Sequence, residues 1–200
     1  MGLTLITAPL IEPILLKDVK RHLSQEETDD DTLIEILITA CREHAEMWTR
    51  RQFLTATWEL SLDEFPGSED QKWSEIKIPR PPLQSITSIK YDDLDGNEQT
   101  LSSSVYSVDT GVEPGIVRLA YDQSWPSTRA QANAVRIRFV AGWTSRDLVP
   151  RSIQQALLLH ISHLYDHPDA VIVEKGRATI QAPPMAYESL LWGNRVVRVY

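Results

Sequence analysis

The stretch Asp29–Trp58, DDDTLIEILITACREHAEMWTRRQFLTATW, limits what this chain can fold into more than any other. Its apolar residues recur at Leu33, Ile34, Leu37, Ile38, Cys41, Ala45 and Trp48, the spacing of one helix face. Glu35, Thr39, Arg42, Glu46 and Arg50 form a polar stripe on another side. Ile36, Ala40 and Met47 spill outside the main apolar face, and a helix apolar over that much of its girth is usually covered on two sides. Asp29, Asp30 and Asp31 place negative charge and capping oxygens at its start, and Arg50 and Arg51 place cations in its last turn. Period-two alternation (TATWELSLDEF) begins almost at once. The stretch predicts a long helix running into a strand, with a role in holding parts together rather than in chemistry.

The rest of the chain arranges itself around that helix. Residues 1–13 are apolar, are broken by Pro9 and Pro13, and read as an extended arm. Ile14–Leu23 predicts a short amphipathic helix, so that two helices form a hairpin. From Thr55 to about Gly142 the period is two, with strands predicted at Thr55–Phe65, Ser74–Ile78, Ser85–Asp92, Glu98–Leu101, Val105–Asp109, Gly115–Ala120 and Ala134–Ala141. Pro66-Gly67, Asp95-Gly96-Asn97 and Glu113-Pro114-Gly115 supply turns between them, and Ser124–Asn133 reads as a loop. Pro150 suits a helix start, and Ile153, Ala156, Leu157, His160, Ile161, Leu164 and Tyr165 make the stripe of a last helix that ends at His167-Pro168. The expected fold class is α+β. A helical core of the N-terminal hairpin (1–54) and a C-terminal helix (146–168) carries an inserted antiparallel β-region (55–145), with a tail over 169–200.

Chemistry is sparse. A formal net charge of −8 argues against a non-specific nucleic-acid binder, which presents a basic face. No apolar run reaches the roughly 18–20 residues of a membrane span, and the first residues lack the cationic start of a signal peptide. The single cysteine, Cys41, lies on the apolar helix face and reads as core. His160, His163 and His167 have zinc-like spacing but no completing ligand, so a flank of a core helix is the better reading. Asp92, Asp93 and Asp95 lack the spaced ligands of a calcium loop and read as a hairpin turn. No nucleophile elbow, phosphate loop or dinucleotide fingerprint occurs, and the expectation is a non-enzymatic protein without cofactor or metal. The six tryptophans read as core and interface anchors.

The two ends carry surplus apolar residues: Leu3, Leu5, Ile6, Leu10 and Ile11 in the arm, and the alternating run Arg195-Val196-Val197-Arg198-Val199-Tyr200. Such ends commonly dock on a neighbour, for instance by adding a strand to a sheet edge.

Three segments together carry a resemblance. They are the proline-broken arm followed by LKDVKRHL, the long helix ending CREHAEMWTRRQFLTATWEL, and RIRFVAGWTSRDLVPRSIQQALLLHISHLYDHP, with its strand-ending Ala-Gly-Trp and its helix-opening Val-Pro. In that combination, over nearly residues 1–167, the chain resembles the head–tail connector (adaptor) proteins of tailed bacteriophages, in the version with a β-insertion between the helices. The resemblance implies a structural protein of the virion neck, made in the host bacterial cytoplasm. Its partners would be the portal protein, a stopper or tail-completion protein, and itself in a ring of about twelve. It implies that Arg195–Tyr200 engages the portal. It also implies a ring interface on the outer faces of the long helix, at Ile36, Arg42, Glu43, Glu46, Met47 and Arg50. Residues 1–12 and 169–200 would be mobile in the free subunit and ordered in the assembly. Twelve copies at −8 each carry 12 × −8 = −96, which suits a channel that double-stranded DNA slides through without specific binding. The alternatives are another tail-completion or baseplate module, or an enzyme with an unrecognised site.

Overall fold

The structure is a computed structural model that describes residues 1–67, 75–167, 171–174, 177–180 and 185–197. Over the described residues it is α+β, with four α-helices and antiparallel sheets. The chain divides into two compact units, Met1–Leu10 with Leu54–Thr144, and Ile11–Phe53 with Ser145–Tyr200.

The first unit is built of strands: β1 (Gly2–Thr7), β2 (Ala56–Leu62), β3 (Glu75–Ile78), β4 (Leu83–Asp92), β5 (Glu98–Thr100), β6 (Tyr106–Asp109), β7 (Gly115–Leu119) and β8 (Val135–Ala141). A five-stranded sheet runs β1-β2-β8-β4-β5 and a three-stranded sheet runs β3-β7-β6, every pairing antiparallel. Strand β8 shows why the period-two reading works here. Val135, Ile137, Phe139 and Ala141 are buried, while Arg136 and Arg138 alternate with them toward water. Leu60, opposite Ile137, joins them in a core with Phe65, Ile76, Ile78, Leu83, Ile89, Leu101 and Val117. Each large side chain there contributes about 1.5–3 kcal/mol, an upper estimate because unfolded chains already bury some apolar surface. Phe65 stacks on Trp125 with ring centroids 4.8 Å apart, which anchors the irregular 124–133 segment to that core.

The second unit holds α1 (Leu16–Leu23), α2 (Asp31–Thr49), a 3-10 turn (Arg146–Leu148), α3 (Arg151–Asp166), a hairpin of β9 (Val171–Glu174) and β10 (Arg177–Ile180), and α4 (Met185–Trp192). Helix α2 packs on α3, α1 touches both, and α4 lies on α3. Ile34, Ile38, Cys41 and Ala45 of α2, Val19 of α1, and Ile153, Ala156, Leu157 and Ile161 of α3 are the buried stripes of these packed helices. Polar ties fix the hairpin's corner. Lys20 Nζ pairs with Asp31 Oδ1 at 2.5 Å, and the Tyr165 hydroxyl donates to Asp30 Oδ2 while accepting from Gln25 Nε2. Two of the three acidic residues expected to cap α2, Asp30 and Asp31, thus work through partners in other elements, and Asp30 at the N-cap makes no side-chain capping hydrogen bond.

Several expectations need correction. The N-terminal arm is extended but not unpartnered, since Gly2–Thr7 pairs with β2 from Ser61 to Thr57. Leu33, expected inside, is exposed, and Thr49, not expected there, is buried. Helix α2 ends at Thr49, with Arg50 in the left-handed region at φ 59°. The tail over 169–200, for which no element was expected before Arg195, contains a hairpin and helix α4, whose Tyr187 and Leu191 are buried. An eight-residue helix that is apolar on most sides (MAYESLLW) offers too few turns for a period to show. Arg195–Val197 follow α4 without forming a strand, and Arg198, Val199 and Tyr200 lie outside the described residues.

Candidate assembly surfaces

Helix α2 presents two different chemistries at its C-terminal half. Inward, Arg42 and Glu46 are 5% and 6% exposed. Arg42 Nη1 donates to Glu46 Oε2 at 3.0 Å and Nε donates to Glu12 Oε2 at 2.8 Å, with Glu43 Oε1 3.5 Å from Nη2. Burial opposes the charge on Arg42, but Glu46 and Glu12 outweigh it and hold the guanidinium's pKa above its ordinary value. Glu46 Oε1 accepts from Gln52 Nε2 at 2.7 Å and from the Phe53 backbone N–H at 2.8 Å. One carboxylate therefore neutralises a buried cation and also holds the chain as it leaves the helix. Of the six residues expected at a ring interface, Arg42 and Glu46 are thus taken up inside the subunit. A polar stripe at i, i+4 does not by itself reveal whether it meets water or a buried partner.

The outer face keeps the other four. Ile36 and Met47 are 60% and 64% exposed, and Glu43 and Arg50 are exposed with them. In the single subunit these two large apolar side chains lie in water beside an acid and a base.

At the end of α2 the start of the tail is clamped. Val196 N–H donates to Thr49 O at 2.9 Å, and Arg51 Nε donates to Asn194 O. The Asn194 side chain reaches Ser152 Oγ at 2.9 Å. The Arg195 guanidinium lies 4.9 Å from the Trp48 ring centre and 5.6 Å from that of Trp192, a cation–π arrangement on two indoles. Val196 is half-buried and Val197 points to solvent. None of this was visible in the run RVVRVY, whose alternation suggested only a strand.

The histidines separate. His160 is buried, with its ring 4.5 Å from Tyr187 and 5.2 Å from His44, while His163 packs edge-on with His167. Among the described residues no three His, Cys, Asp or Glu side chains converge as metal ligands. His44 Nδ1 lies 2.7 Å from the Tyr187 hydroxyl. Burial first, then His44 and His163, pushes the His160 pKa down to about 4, and burial pushes Tyr187 up. Cys41, fully buried, has its thiol pushed up to about 12, so it is a thiol and not a thiolate at neutral pH. Because His160 binds its proton less readily folded than unfolded, stability is complete above about pH 6.5 and falls as the pH drops toward 4, by about 2–3 kcal/mol from this residue. Denaturant titrations between pH 4 and 7.5 check this: His160→Phe should flatten the slope, and an unchanged slope would refute the assignment.

Asp93 does what the hairpin reading requires. Its Oδ1 accepts from the N–H groups of Asp95 and Asn97, and its Oδ2 from Gln99 Nε2, inside the β4–β5 turn with Gly96 at φ 86°. Asp92 is engaged by Arg136 at 2.7 Å.

No protein-family model matches the chain, and no curated protein does. Solved structures do. The fold is similar to a chain in the neck of an empty gene transfer agent (GTA) particle computed with C6 symmetry, at TM-score 0.75 and 19% identity over 100% of this chain and 98% of that one. A chain in the virion of the native GTA particle gives the same TM-score, identity and coverage. In the neck of the native GTA particle computed with C12 symmetry the values are TM-score 0.71 and 21% identity, with 100% and 98% covered. The chain therefore has, from end to end, a fold found in the neck of a gene transfer agent particle.

Proposed function

We propose that the protein is a head–tail connector: copies of it form a ring of about twelve in the virion neck, between the portal protein and a stopper or tail-completion protein, and continue the DNA channel. The observation that carries this reading is the end-to-end likeness to chains in particle necks treated with sixfold and twelvefold symmetry. Exposed Ile36 and Met47, flanked by Glu43 and Arg50, are the surface on which neighbouring copies meet. Contacts of that kind join two different patches and close into a ring. The tail beyond Arg195 engages the portal, and the clamp of Arg195 on Trp48 and Trp192 sets the point from which it departs.

Imaging the protein mixed with its portal protein tests the reading. A symmetric ring stacked on the portal is expected, and absence of any complex would remove the proposal. Ile36→Glu with Met47→Glu should abolish the ring yet leave subunit stability within about 0.5 kcal/mol per site, because both side chains are already in water in the single subunit. Rings that form normally from this variant would place the interface elsewhere.

A further inference from the structure

Two of the outer strands in the first unit carry little of the charge that usually protects a sheet edge. Strand β1 ends the five-stranded sheet. Its six residues, Gly-Leu-Thr-Leu-Ile-Thr, carry no charge and no proline, and all six are exposed. Leu3, Leu5 and Ile6 are among the exposed large apolar side chains of the protein. Free edges ordinarily carry charges, proline or a bulge that turn other strands away, and of these β1 has only the register shift between Leu5 and Thr7 in its pairing with β2, which leaves Gly2–Leu5 regular. The opposite edge of the same sheet obeys that rule: Glu98 of β5 is paired with Lys90 at 2.6 Å and Arg136 at 3.0 Å. In the three-stranded sheet, outer strand β3 carries Glu75 and Lys77, whereas outer strand β6 is uncharged over Tyr106–Val108, with Ser107 and Val108 exposed.

We propose that β1 of one copy adds along its free edge to β6 of the next copy, so that the ring is held by continuous β-sheet as well as by helix faces. This rests on the ring reading above. The occupant is a second copy because each copy brings one edge of either kind. Pairing the regular, uncharged stretch of β1 with Tyr106–Val108 satisfies backbone groups and leaves Asp109 at the strand's end, whereas β3 would bring both Glu75 and Lys77, and β5 the ion-paired Glu98, into the seam. The two edges are different surfaces of one chain, so the contact is head-to-tail and repeats from copy to copy, as ring closure requires.

Cysteines at Leu5→Cys and Val108→Cys, in rings assembled on the portal and treated with a short bis-maleimide, test the pairing. Cys41 is buried and leaves the background low. Ladders of cross-linked copies are expected from the double variant, and singly linked or unlinked chains from each single variant. Rings that assemble but give no ladder overturn this inference and leave the connector reading standing. If the unmodified chain forms no ring on the portal, both fall. A second variant guards against a folding defect. Leu5→Lys, at an exposed site, should weaken assembly at least tenfold with an unchanged melting temperature, and unchanged assembly also overturns the pairing.

Discussion

Glu46→Leu is expected to destabilise the helical unit by about 3–5 kcal/mol, the cost of leaving a buried charge without its partner. Arg42 would keep Glu12 and Glu43, whose side chains are 30% and 67% exposed, but would lose the one carboxylate buried beside it. The Phe53 N–H and the Gln52 amide would lose the Glu46 acceptor at the same time. A leucine fills the volume and satisfies none of these donors. Urea denaturation followed by tryptophan fluorescence, which reports Trp48 and Trp192 in this unit, measures the loss. The double variant Arg42→Met with Glu46→Leu removes the cation as well, and should be less destabilised than the sum of the single variants by about 1–3 kcal/mol. A loss below about 1 kcal/mol for Glu46→Leu would show that water reaches the pair and that the network is decorative.

Gly142→Ala should cost about 3 kcal/mol in the β-unit, the upper end for a strained backbone position. Gly142 has φ +103°, and a Cβ built there would lie 2.4 Å from both the carbonyl carbon and oxygen of Leu54 and 3.0 Å from Thr55 N. These are main-chain atoms and cannot rotate away. The glycine is also held on both sides, its N–H donating to Pro82 O at 2.9 Å and its carbonyl accepting from Gln84 Nε2 at 2.6 Å. It stands at the end of β8, where the chain from Leu54 to Thr55 passes alongside Trp143. Gly67→Ala is the control, since nothing among the described residues lies within 4 Å of a Cβ there, and it should stay within about 0.5 kcal/mol. Thermal unfolding of both variants decides the matter, and equal melting temperatures would show that the β8 end relaxes freely.

Much of the architecture is local and was therefore readable. Each of the seven strands expected between Thr55 and Ala141 is present, because alternation such as Val135-Arg-Ile-Arg-Phe-Val-Ala reports directly which side chains a sheet covers. Helices α1, α2 and α3 are present for the corresponding reason at helical period. The Asp93–Gly96 turn was legible from its own residues, because a carboxylate and a glycine at those places build a hairpin turn without outside help. The Ala-Gly-Trp noticed as a strand ending proves to contain the close approach at Gly142, although its sequence could not say which backbone would come so near.

The candidate surfaces were less legible. Ile36 and Met47 stood out because they broke the helix's apolar stripe, and that irregularity is what exposes them. Arg42 and Glu46 carry the composition of a solvent face and lie in the interior. Only Glu12, some thirty positions away, and the Gln52–Phe53 turn make that burial tolerable. Arg195 looked like part of a free strand and is held by two indoles from different helices.

By itself, the order of residues determined the periods: where strands and helices run, which turns close, and that greasy side chains exceed what one helix face can hide. The folded molecule alone decided pairings between distant segments, including β1 against β2, Glu46 against Phe53 and Val196 against Thr49. Period is a property of a short window, set by the geometry of the backbone. A long-range hydrogen bond or ion pair exists only once packing has brought its two halves together, and no residue type announces the partner it will meet.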